Sequence, residues 1–462
     1  MASATRPSEG GPCRCGLQEG NMTDASTSAP MSPGLLKVVV RAKREPDAQF
    51  HSLAHLIDAA ALERAYHRQR KDAAVGVDGV TKEEYGRNLE ANLRGLHERL
   101  RAGRYRHRPI LRVHIPKERG RTRPIGISAF EDKLVQDALR EVLEAVHEQD
   151  FLDCSYGFRP GRRTHDAIRT LDRAVSRGRV NWVLEADIAS FFDSVDHNTL
   201  LELLQKRVPD GSIRRLVGKC LHVGVLDGAE LVQPERGTAQ GSVLSPLLAN
   251  IYLHHALDLW FEREVRPRLR GDAHLVRYAD DFVVCFERRD DAERVMAVLG
   301  KRLARFGLAL QPDKTRLVPF GRPSPTQRGG KGPGTFDFLG FTLYWRRTRG
   351  GPWVLACRTR RARLRRAIKA VYDWCRGHRH LPVGQQHAAL TRRLQGHFNY
   401  FGVNGNIRSL VILVRHAARA WYKWLRRRSQ KTRLNWARFA DLLRDFPLPR
   451  PRIVVQIWGS RP

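Results

Sequence analysis

Long apolar runs are missing from this 462-residue chain, whose densest run, residues 410–414, has only five residues. A membrane-spanning helix needs about 20 consecutive apolar residues, and the N-terminus also lacks the apolar stretch of a secretory signal. Cysteine is scarce too: there are seven, and Cys13 and Cys15 form the only close pair. This spacing excludes a disulfide framework and a zinc module. We therefore expect a cytoplasmic protein without membrane contacts.

Acidic residues are few relative to basic ones, with 48 Asp and Glu against 82 Lys and Arg and a formal net charge of +34. Such an excess favours a polyanionic partner, since basic side chains release the counterions condensed on nucleic-acid phosphates. Arginine accounts for 68 of the basic residues and lysine for 14. Arginine stacks on bases and binds phosphate with two N–H groups, which suits RNA. A genome-wide codon bias would give the same composition, and both explanations stay open.

Local patterns predict the elements. Residues 1–45 are rich in Gly, Pro, Ser, Thr and Ala without periodicity, and we expect them to be disordered. Ser128 and Glu131 have the spacing of a capping box for a helix at 129–147. Strand patterns occupy residues 110–115, 122–127, 182–188, the hairpin 275–286, 316–320 and 336–345. From residue 358 the pattern predicts helices at about 359–376, 386–398 and 406–427, with Trp421, Tyr422 and Trp424 in their core.

Two adjacent carboxylates, Asp280 and Asp281, stand at the tip of the predicted hairpin. Like charges repel, and Asp is depleted from strands, so the pair is a poor choice for stabilising a fold. For a bare Asp-Asp pair, an ordinary acidic turn is the simpler explanation, and it gives way only to the neighbouring motifs. A third carboxylate, Asp187, ends a buried strand 93 residues earlier. If the three acids met, they would hold two Mg²⁺ ions about 3.5–4 Å apart, as phosphoryl transfer requires.

Seven stretches follow one another in a characteristic order over residues 50–350. They are Ile115-Pro116-Lys117 with Arg123-Pro124-Ile125-Gly126-Ile127, Ser155-Tyr156-Gly157-Phe158-Arg159-Pro160-Gly161, Glu185-Ala186-Asp187-Ile188-Ala189-Ser190-Phe191-Phe192-Asp193, Gly237-Thr238-Ala239-Gln240-Gly241-Ser242, Tyr278-Ala279-Asp280-Asp281, Leu310-Gln311-Pro312-Asp313-Lys314-Thr315 and Phe338-Leu339-Gly340-Phe341. In this order they resemble the motifs of a group II intron reverse transcriptase of bacterial type, the intron-encoded maturase family. The Gly396–Gly402 stretch, with its basic surroundings, is similar to the thumb and maturase region of that family.

The resemblance implies an α+β fold, a right-hand polymerase whose fingers and palm contain antiparallel sheet. These would occupy residues 46–350, and a helical, basic thumb and maturase domain residues 351–462. The implied reaction is RNA-directed DNA synthesis, in which dNTPs are added to a primer 3′-OH. Mg²⁺ would be the cofactor, as two ions, with Mn²⁺ as an alternative. No Cys follows Cys375, so we expect no cysteine-paired nuclease module.

The resemblance also implies roles for matching residues. Asp187, Asp280 and Asp281 would be catalytic and bind the metal ions, with the backbone carbonyl of Ile188 as a further ligand. The nucleotide-binding residues would be Lys117 and Arg123 on the triphosphate, Phe192 as the gate against a 2′-OH, Gln240 under the templating base pair, and Lys314 as a proton donor to pyrophosphate. Phe191 is the alternative to Phe192, and a salt bridge is the alternative role for Lys314.

The basic tail is the third candidate site. Residues 358–431 contain 19 Lys and Arg but one acid, Asp373. A solvated face rarely shows such a ratio, so we interpret it as a nucleic-acid groove. On its first predicted helix, the RNA-binding candidates are Arg361, Arg363, Arg365, Arg366 and Lys369.

Three functions remain open. The first is a reverse transcriptase that also binds its intron RNA, assists splicing and acts on a DNA target. The second is an RNA-binding splicing cofactor with a dispensable polymerase. The third is a reverse transcriptase recruited to a role without an intron. The oligomeric state cannot be read from the sequence.

Overall fold

The computed structural model describes residues 31–116, 122–228, 230–233, 235–324, 333–348, 350–429 and 434–457, apart from the side chains of Pro116 and Arg177. The fold is of the predicted α+β class, with mainly antiparallel sheets surrounded by helices. Among the described helices, none is long and apolar enough to cross a membrane.

Helices form most of the described chain. They are α1 (Pro33–Arg44), α2 (Ala59–Arg68), α3 (Lys82–Gly86), α4 (Leu89–Arg101), α5 (Phe130–His147), α6 (Thr164–Arg177), α7 (Phe191–Ser194), α8 (His197–Gln205), α9 (Gly211–Leu221), α10 (Ser245–Leu253), α11 (Arg289–Ala304), α12 (Arg361–Gly377), α13 (Val383–Phe401), α14 (Ile407–Arg426) and α15 (Trp436–Asp445). Two π-helical stretches, His254–Asp258 and Phe261–Val265, follow α10. Short 3-10 turns lie at Ala54–Leu56, Arg266–Arg268 and Pro312–Lys314.

The described strands form three sheets. They are β1 (Ile110–Pro116), β2 (Thr122–Ile127), β3 (Trp182–Asp187), β4 (Val225–Asp227), β5 (Glu230–Val232), β6 (Ala273–Tyr278), β7 (Asp281–Phe286), β8 (Arg316–Pro319), β9 (Thr335–Phe338), β10 (Phe341–Arg347) and β11 (Trp353–Thr359). The first sheet has the order β2-β1-β4-β5, the central sheet β6-β7-β3-β8, and the third β11-β10-β9. The predicted hairpins at 110–127 and 275–286 are confirmed.

The central sheet is buried on both faces, which explains why its strands read as nearly continuous apolar runs. Leu184 and Val284 face a large core built with α5, α8, α10 and α11. Val183 and Val283 face a second core, which includes α6 and the third sheet. The two inner strands, β3 and β7, are therefore held from both sides.

The three predicted basic helices are confirmed as α12, α13 and α14, which share a third core. Trp421 is fully buried and Trp424 nearly so, and half-buried Tyr422 packs against the same core. The expectation that these aromatics belong to a core is therefore confirmed.

The predicted disorder of residues 1–45 is wrong for the part that the structure describes. Residues 33–44 form α1, which packs against α5. Leu35, Val38 and Ala42 recur at helical spacing and are buried. Ser32 caps the helix, and its side chain accepts the N–H of Leu35. The prediction failed because the short stretch with helical spacing was averaged with the Gly- and Ser-rich residues before it. Residues 1–30 lie outside the described chain.

The predicted capping box at Ser128 is also wrong, because α5 begins at Phe130 and its N-cap is Ala129. The Ser128 hydroxyl instead bonds the Gln136 side chain, and Glu131 accepts from Arg99 at 2.8 Å. The N–H of Phe130 donates to Asp78 at 2.9 Å. A distant carboxylate thus caps the helix, and local spacing could not predict that contact.

The predicted strand at 336–345 is two strands. Leu339 and Gly340 have positive φ values, 51° and 78°, and turn the chain between β9 and β10. The following strand, β11, was not predicted; it pairs with β10 along its whole length. The predicted boundary between residues 350 and 351 therefore falls inside a hairpin, and the basic helices begin at Arg361.

Candidate active site

The three predicted catalytic aspartates meet at one end of the central sheet. In the antiparallel pairing of β3 with β7, Asp187 lies directly opposite Asp281. Asp280 lies in the two-residue turn between β6 and β7, beside Asp281. Sheet register thus joins residues that are far apart in the chain, as the sequence suggested without being able to show it.

The turn itself is backbone-strained, because Ala279 has φ +56°, a region that non-glycine residues rarely occupy. A buried guanidinium supports it: Arg277 Nη1 donates to the Ala279 carbonyl at 3.0 Å and to Asn250 Oδ1 at 3.1 Å. The same side chain donates to Asp258 at 2.7 and 2.5 Å and to Ser155 Oγ at 2.7 Å. These contacts fix the segment that carries two of the aspartates.

Sequence reasoning missed this support. The available signal was Arg277, a charged residue in an otherwise apolar strand. Its partners Ser155, Asn250 and Asp258 come from three other parts of the chain, and Asp258 ends a π-helical stretch. Arg277 and Asp258 are both fully buried, so each needs the other.

The aspartates repel one another in a half-buried setting. The pKa of Asp281 is raised to about 7, mainly by burial and also by the charges of Asp187 and Asp280, whereas the N–H of Leu339 opposes the rise. Burial and Asp187 also raise the pKa of Asp280, against the opposing charges of Arg123 and Lys314. Carboxyl groups whose pKa values are raised by their neighbours' negative charge are stabilised in the ionised form when a cation binds beside them.

Lys314 contacts this charge directly, since its ammonium forms an ion pair with Asp187. The 3-10 turn that carries Lys314 is joined to the end of β3, where the N–H of Gln311 donates to the Asp187 carbonyl at 2.8 Å. The alternative role of Lys314, a salt bridge, is therefore present. Ile188 follows β3 with a buried side chain and pairs with Leu310.

Carboxylate oxygens, such as those of the three aspartates, are the type of ligand that a magnesium site needs. Mg²⁺ prefers oxygen ligands and completes its coordination with water and substrate phosphates. In the part of the chain that the structure describes, no group of three or more His, Cys, Asp or Glu side chains is placed so that it could hold a metal ion. An open set of carboxylates, one of them already holding the Lys314 cation, is consistent with an ion that also needs substrate oxygens.

One of the two predicted triphosphate ligands, Arg123, lies on the β1–β2 hairpin. Arg123 is exposed on β2, opposite Ile115, and is near enough to lower the pKa of Asp280. Lys117 lies outside the described residues. The structure therefore brings one of these two cations toward the aspartates.

Phe191 and Phe192 have different environments. Phe191 is buried in the large core, whereas Phe192 is half-buried at its edge. The Phe192 carbonyl accepts the N–H of Thr238 at 2.7 Å, which ties α7 to the segment of Gln240. This difference supports Phe192, rather than Phe191, as the residue that can contact a substrate.

The segment of Gln240 packs tightly on β2. The Gln240 carbonyl accepts the N–H of Gly126 at 2.7 Å. Gly241 has φ +111°, and a Cβ there would lie 2.6 Å from the Gly126 carbonyl oxygen. Only glycine fits this approach, so the backbone around Gln240 is held in one position.

The predicted RNA-binding residues lie on α12. Arg361, Arg365 and Lys369 are exposed, and Arg363 and Arg366 are half-buried. Lys369 forms an ion pair with Asp373, the one acid of the stretch. The opposite side of the helix carries the buried Val371 and Cys375. Their role in RNA binding stays a prediction.

Comparison with known proteins adds independent evidence. A family model described as "Reverse transcriptase (RNA-dependent DNA polymerase)" matches residues 115–343. The chain is 34% identical to Protein YkfC of Escherichia coli (strain K12) over 308 residues, which cover 60% of this chain and 77% of that protein. It is 35% identical to the group II intron-encoded protein LtrA of Lactococcus lactis subsp. cremoris over 212 residues, 44% of this chain and 35% of LtrA.

A plant relative aligns with a smaller part of the chain. Nuclear intron maturase 1, mitochondrial, of Arabidopsis thaliana is 36% identical over 92 residues, 20% of this chain and 13% of that protein. The chain thus spans most of YkfC but only about a third of LtrA. The matched family and relatives confirm the resemblance drawn from the motifs, and the chain belongs to the reverse transcriptase family, among relatives named group II intron-encoded proteins and intron maturases.

Proposed function

We propose that the protein is an RNA-directed DNA polymerase, a nucleotidyltransferase that adds dNTPs to a primer 3′-OH on an RNA template. The observation that carries this proposal is the register that sets Asp187 opposite Asp281, with Asp280 in the adjoining turn. Phosphoryl transfer depends on positioned charge more than on covalent help from the protein. A rigid strand pair with three carboxylates supplies such positioning.

Asp187, Asp280 and Asp281, with the Ile188 carbonyl, would hold two Mg²⁺ ions, or Mn²⁺ as an alternative. When bound, such ions lower the pKa of the attacking hydroxyl and neutralise the leaving pyrophosphate. The buried network around Arg277 keeps the two hairpin aspartates in place. A site that is fixed in advance loses no free energy to reorganisation during the reaction.

The surrounding residues act on the nucleotide. Arg123 and Lys117 bind the triphosphate of the incoming dNTP, because cations on a hairpin can close on it. The Phe192 ring occupies the space that the 2′-OH of a ribonucleotide would need. The backbone at Gln240, which is fixed by its packing on β2, supports the templating base pair. Lys314 donates a proton to the leaving pyrophosphate, and its ion pair with Asp187 keeps it at the site.

Primer extension on an RNA template tests the proposal. Purified protein with Mg²⁺ should extend the primer, and Asp280→Asn should lower the rate by on the order of 10³-fold or more, as losing a charge group at a reacting centre does. Asp441→Asn, an exposed acid on α15 that pairs with Arg444, is the matched control and should keep full activity. Full extension by Asp280→Asn, or none by the unmodified protein, would contradict the proposal.

A second activity, binding of intron RNA to assist splicing, is favoured by the exposed basic residues of α12. It is independent of the aspartates, so Asp280→Asn should leave assisted splicing intact while abolishing extension. Loss of both activities in Asp280→Asn would contradict a separate splicing surface. Sequencing the DNA on either side of the gene separates this role from recruitment to a function without an intron: segments that encode group II intron RNA domains would favour it, and their absence would contradict it.

A further inference from the structure

A thiol, an imidazole and a carboxylate form a row of contacts that does not include the three aspartates. Cys220 Sγ, on α9, lies 3.1 Å from Nε2 of His107, which precedes β1. His107 Nδ1 lies 3.3 Å from Oδ1 of Asp132, in the first turn of α5. Asp132 also accepts the Tyr105 hydroxyl and the N–H of Arg108, the latter at 3.0 Å. The Cys220 thiol is therefore at one end of a series of contacts in which Asp132 and its hydrogen bonds hold the His107 ring in place.

The order of these groups determines where the proton goes. Asp132 accepts from Nδ1–H, so Nε2 faces the thiol and keeps the thiol proton as the N–H of an imidazolium. The side chains of His107 and Asp132 are 3% and 4% exposed, so water does not compete for this contact. Burial lowers the pKa of His107, but Cys220 and Asp132 outweigh it and raise the value to about 10. A Cys–His pair oriented by a third group is the arrangement of an activated nucleophile.

The thiol is also reachable. Cys220 is half-buried and lines a cavity of about 310 Å³ whose wall includes Arg112, Gly126, Arg236 and Gln240. The other described cysteines, Cys154, Cys285, Cys357 and Cys375, are buried. Burial raises the pKa of each of these four thiols, so they are inert by comparison.

We infer that Cys220 is a nucleophilic thiol, activated by His107, at which small electrophiles that enter this cavity attach covalently. With a haloacetamide, the sulfur forms a bond to the carbon while the carbon–iodine bond breaks. Iodide leaves with the electron pair, and the thiol proton stays on Nε2 of His107. The wall of the cavity beside the thiol carries the cations Arg112 and Arg236 and the carboxylate of Asp193, so polar electrophiles can enter it.

An adduct at Cys220 occupies the cavity that Gln240 also lines, which gives the modification a consequence for DNA synthesis. This part of the inference rests on the proposed polymerase function. The reactivity of the thiol does not, because it is measured on the protein alone.

The first test uses the full chain, pulses of iodoacetamide and mass spectrometry of each cysteine peptide between pH 6 and 8. Cys220 should react at a nearly constant rate, whereas an unassisted thiol slows about ten-fold per unit below its pKa. The four buried cysteines should stay unlabelled, which reports an intact fold. A ten-fold fall per unit at Cys220 would overturn the inference.

Two variants separate activation from mere exposure. His107→Gln should slow labelling of Cys220 by about ten-fold or more at pH 7, as loss of a general base does. Tyr105→Phe removes a hydroxyl that contacts Asp132 and Nδ1 of His107 but keeps both the Cys220–His107 and the His107–Asp132 contacts, so it should label at the original rate. Equal labelling in His107→Gln, with the four buried thiols still protected, would overturn the role of His107.

Primer extension provides the last measurement, made first on unlabelled protein so that a failure of the polymerase proposal is recognised separately. Labelling should then abolish extension by the unmodified chain, while Cys220→Ser, treated identically, should keep its activity. Full extension by protein that carries the adduct at Cys220 would overturn the functional consequence.

Discussion

Arg277 illustrates how a single buried charge can position a functional turn. Its guanidinium contacts Asp258, Asn250 and Ser155 and also holds the carbonyl of Ala279, whose backbone is strained. Gly157 contributes by close approach: a Cβ there would lie 2.4 Å from the Ala279 nitrogen. The strain at the turn therefore persists because the surrounding contacts determine it.

Removing one partner of this buried pair should be costly. Arg277→Met leaves Asp258 uncompensated and should lower the free energy of unfolding by about 3–5 kcal/mol in urea titrations. The double variant Arg277→Met/Asp258→Leu removes both charges and should recover most of that loss. Its primer extension should stay low, because the Ala279 carbonyl still lacks its donor. A double variant no more stable than Arg277→Met would contradict this account.

Phe191 and Phe192 give a matched pair of neighbours with opposite expectations. Phe192→Val should allow the enzyme to incorporate ribonucleotides, because the half-buried ring is the proposed barrier to a 2′-OH. Phe191→Ala should instead lower the free energy of unfolding by about 3–5 kcal/mol, since it empties a core position. Primer extension with rNTPs and urea unfolding measure the two effects. Continued exclusion of rNTPs by Phe192→Val would remove this residue from the gate.

At the scale of elements, helix α1 is the clearest departure from the sequence prediction. Leu35 is fully buried, whereas Val40 on the same helix is 62% exposed. Leu35→Ala should lower the free energy of unfolding by about 2–5 kcal/mol through the cavity it leaves. Val40→Ala is the matched control and should stay within about 0.5 kcal/mol of the original. If residues 33–44 were disordered, the two variants would unfold alike.

At the scale of the whole molecule, the excess of positive charge predicts RNA affinity that depends steeply on salt. Reversal of the exposed α12 residues, Arg361→Glu, Arg365→Glu and Lys369→Glu together, should weaken binding and abolish assisted splicing. The slope of log K against log salt should shrink by about two to three, since each phosphate contact contributes roughly 0.7–0.9. Filter binding at several salt concentrations measures it.

The control variant keeps the positive charges but exchanges guanidinium and ammonium groups: Arg361→Lys, Arg365→Lys and Lys369→Arg together. It should retain most of the affinity and the original slope, because counterion release depends on charge. An unchanged slope after charge reversal would show that the basic composition reflects codon bias at α12 rather than RNA binding.

An element could be predicted from the sequence when the contacts that specify it lie between residues close together in the chain. The hairpin at 275–286 and helices α12 to α14 were predictable, because alternating or helical apolar spacing is a local property. The cap of α5 and the existence of β11 were not. Asp78 caps α5 from 52 residues away, and β11 is specified by its pairing with β10. Such contacts exist only after the chain has folded.

The sequence by itself determined the features on which the proposed chemistry depends: the three aspartates, the order of motifs around them and the large positive charge. These are properties of residue type and spacing, and the family match over residues 115–343 agrees with them. Only the tertiary structure decided that Asp187 faces Asp281, that Phe191 is core while Phe192 is not, and that His107 meets Cys220. The physical reason is that strand register, burial and hydrogen bonding between distant segments arise from packing, which no local pattern encodes.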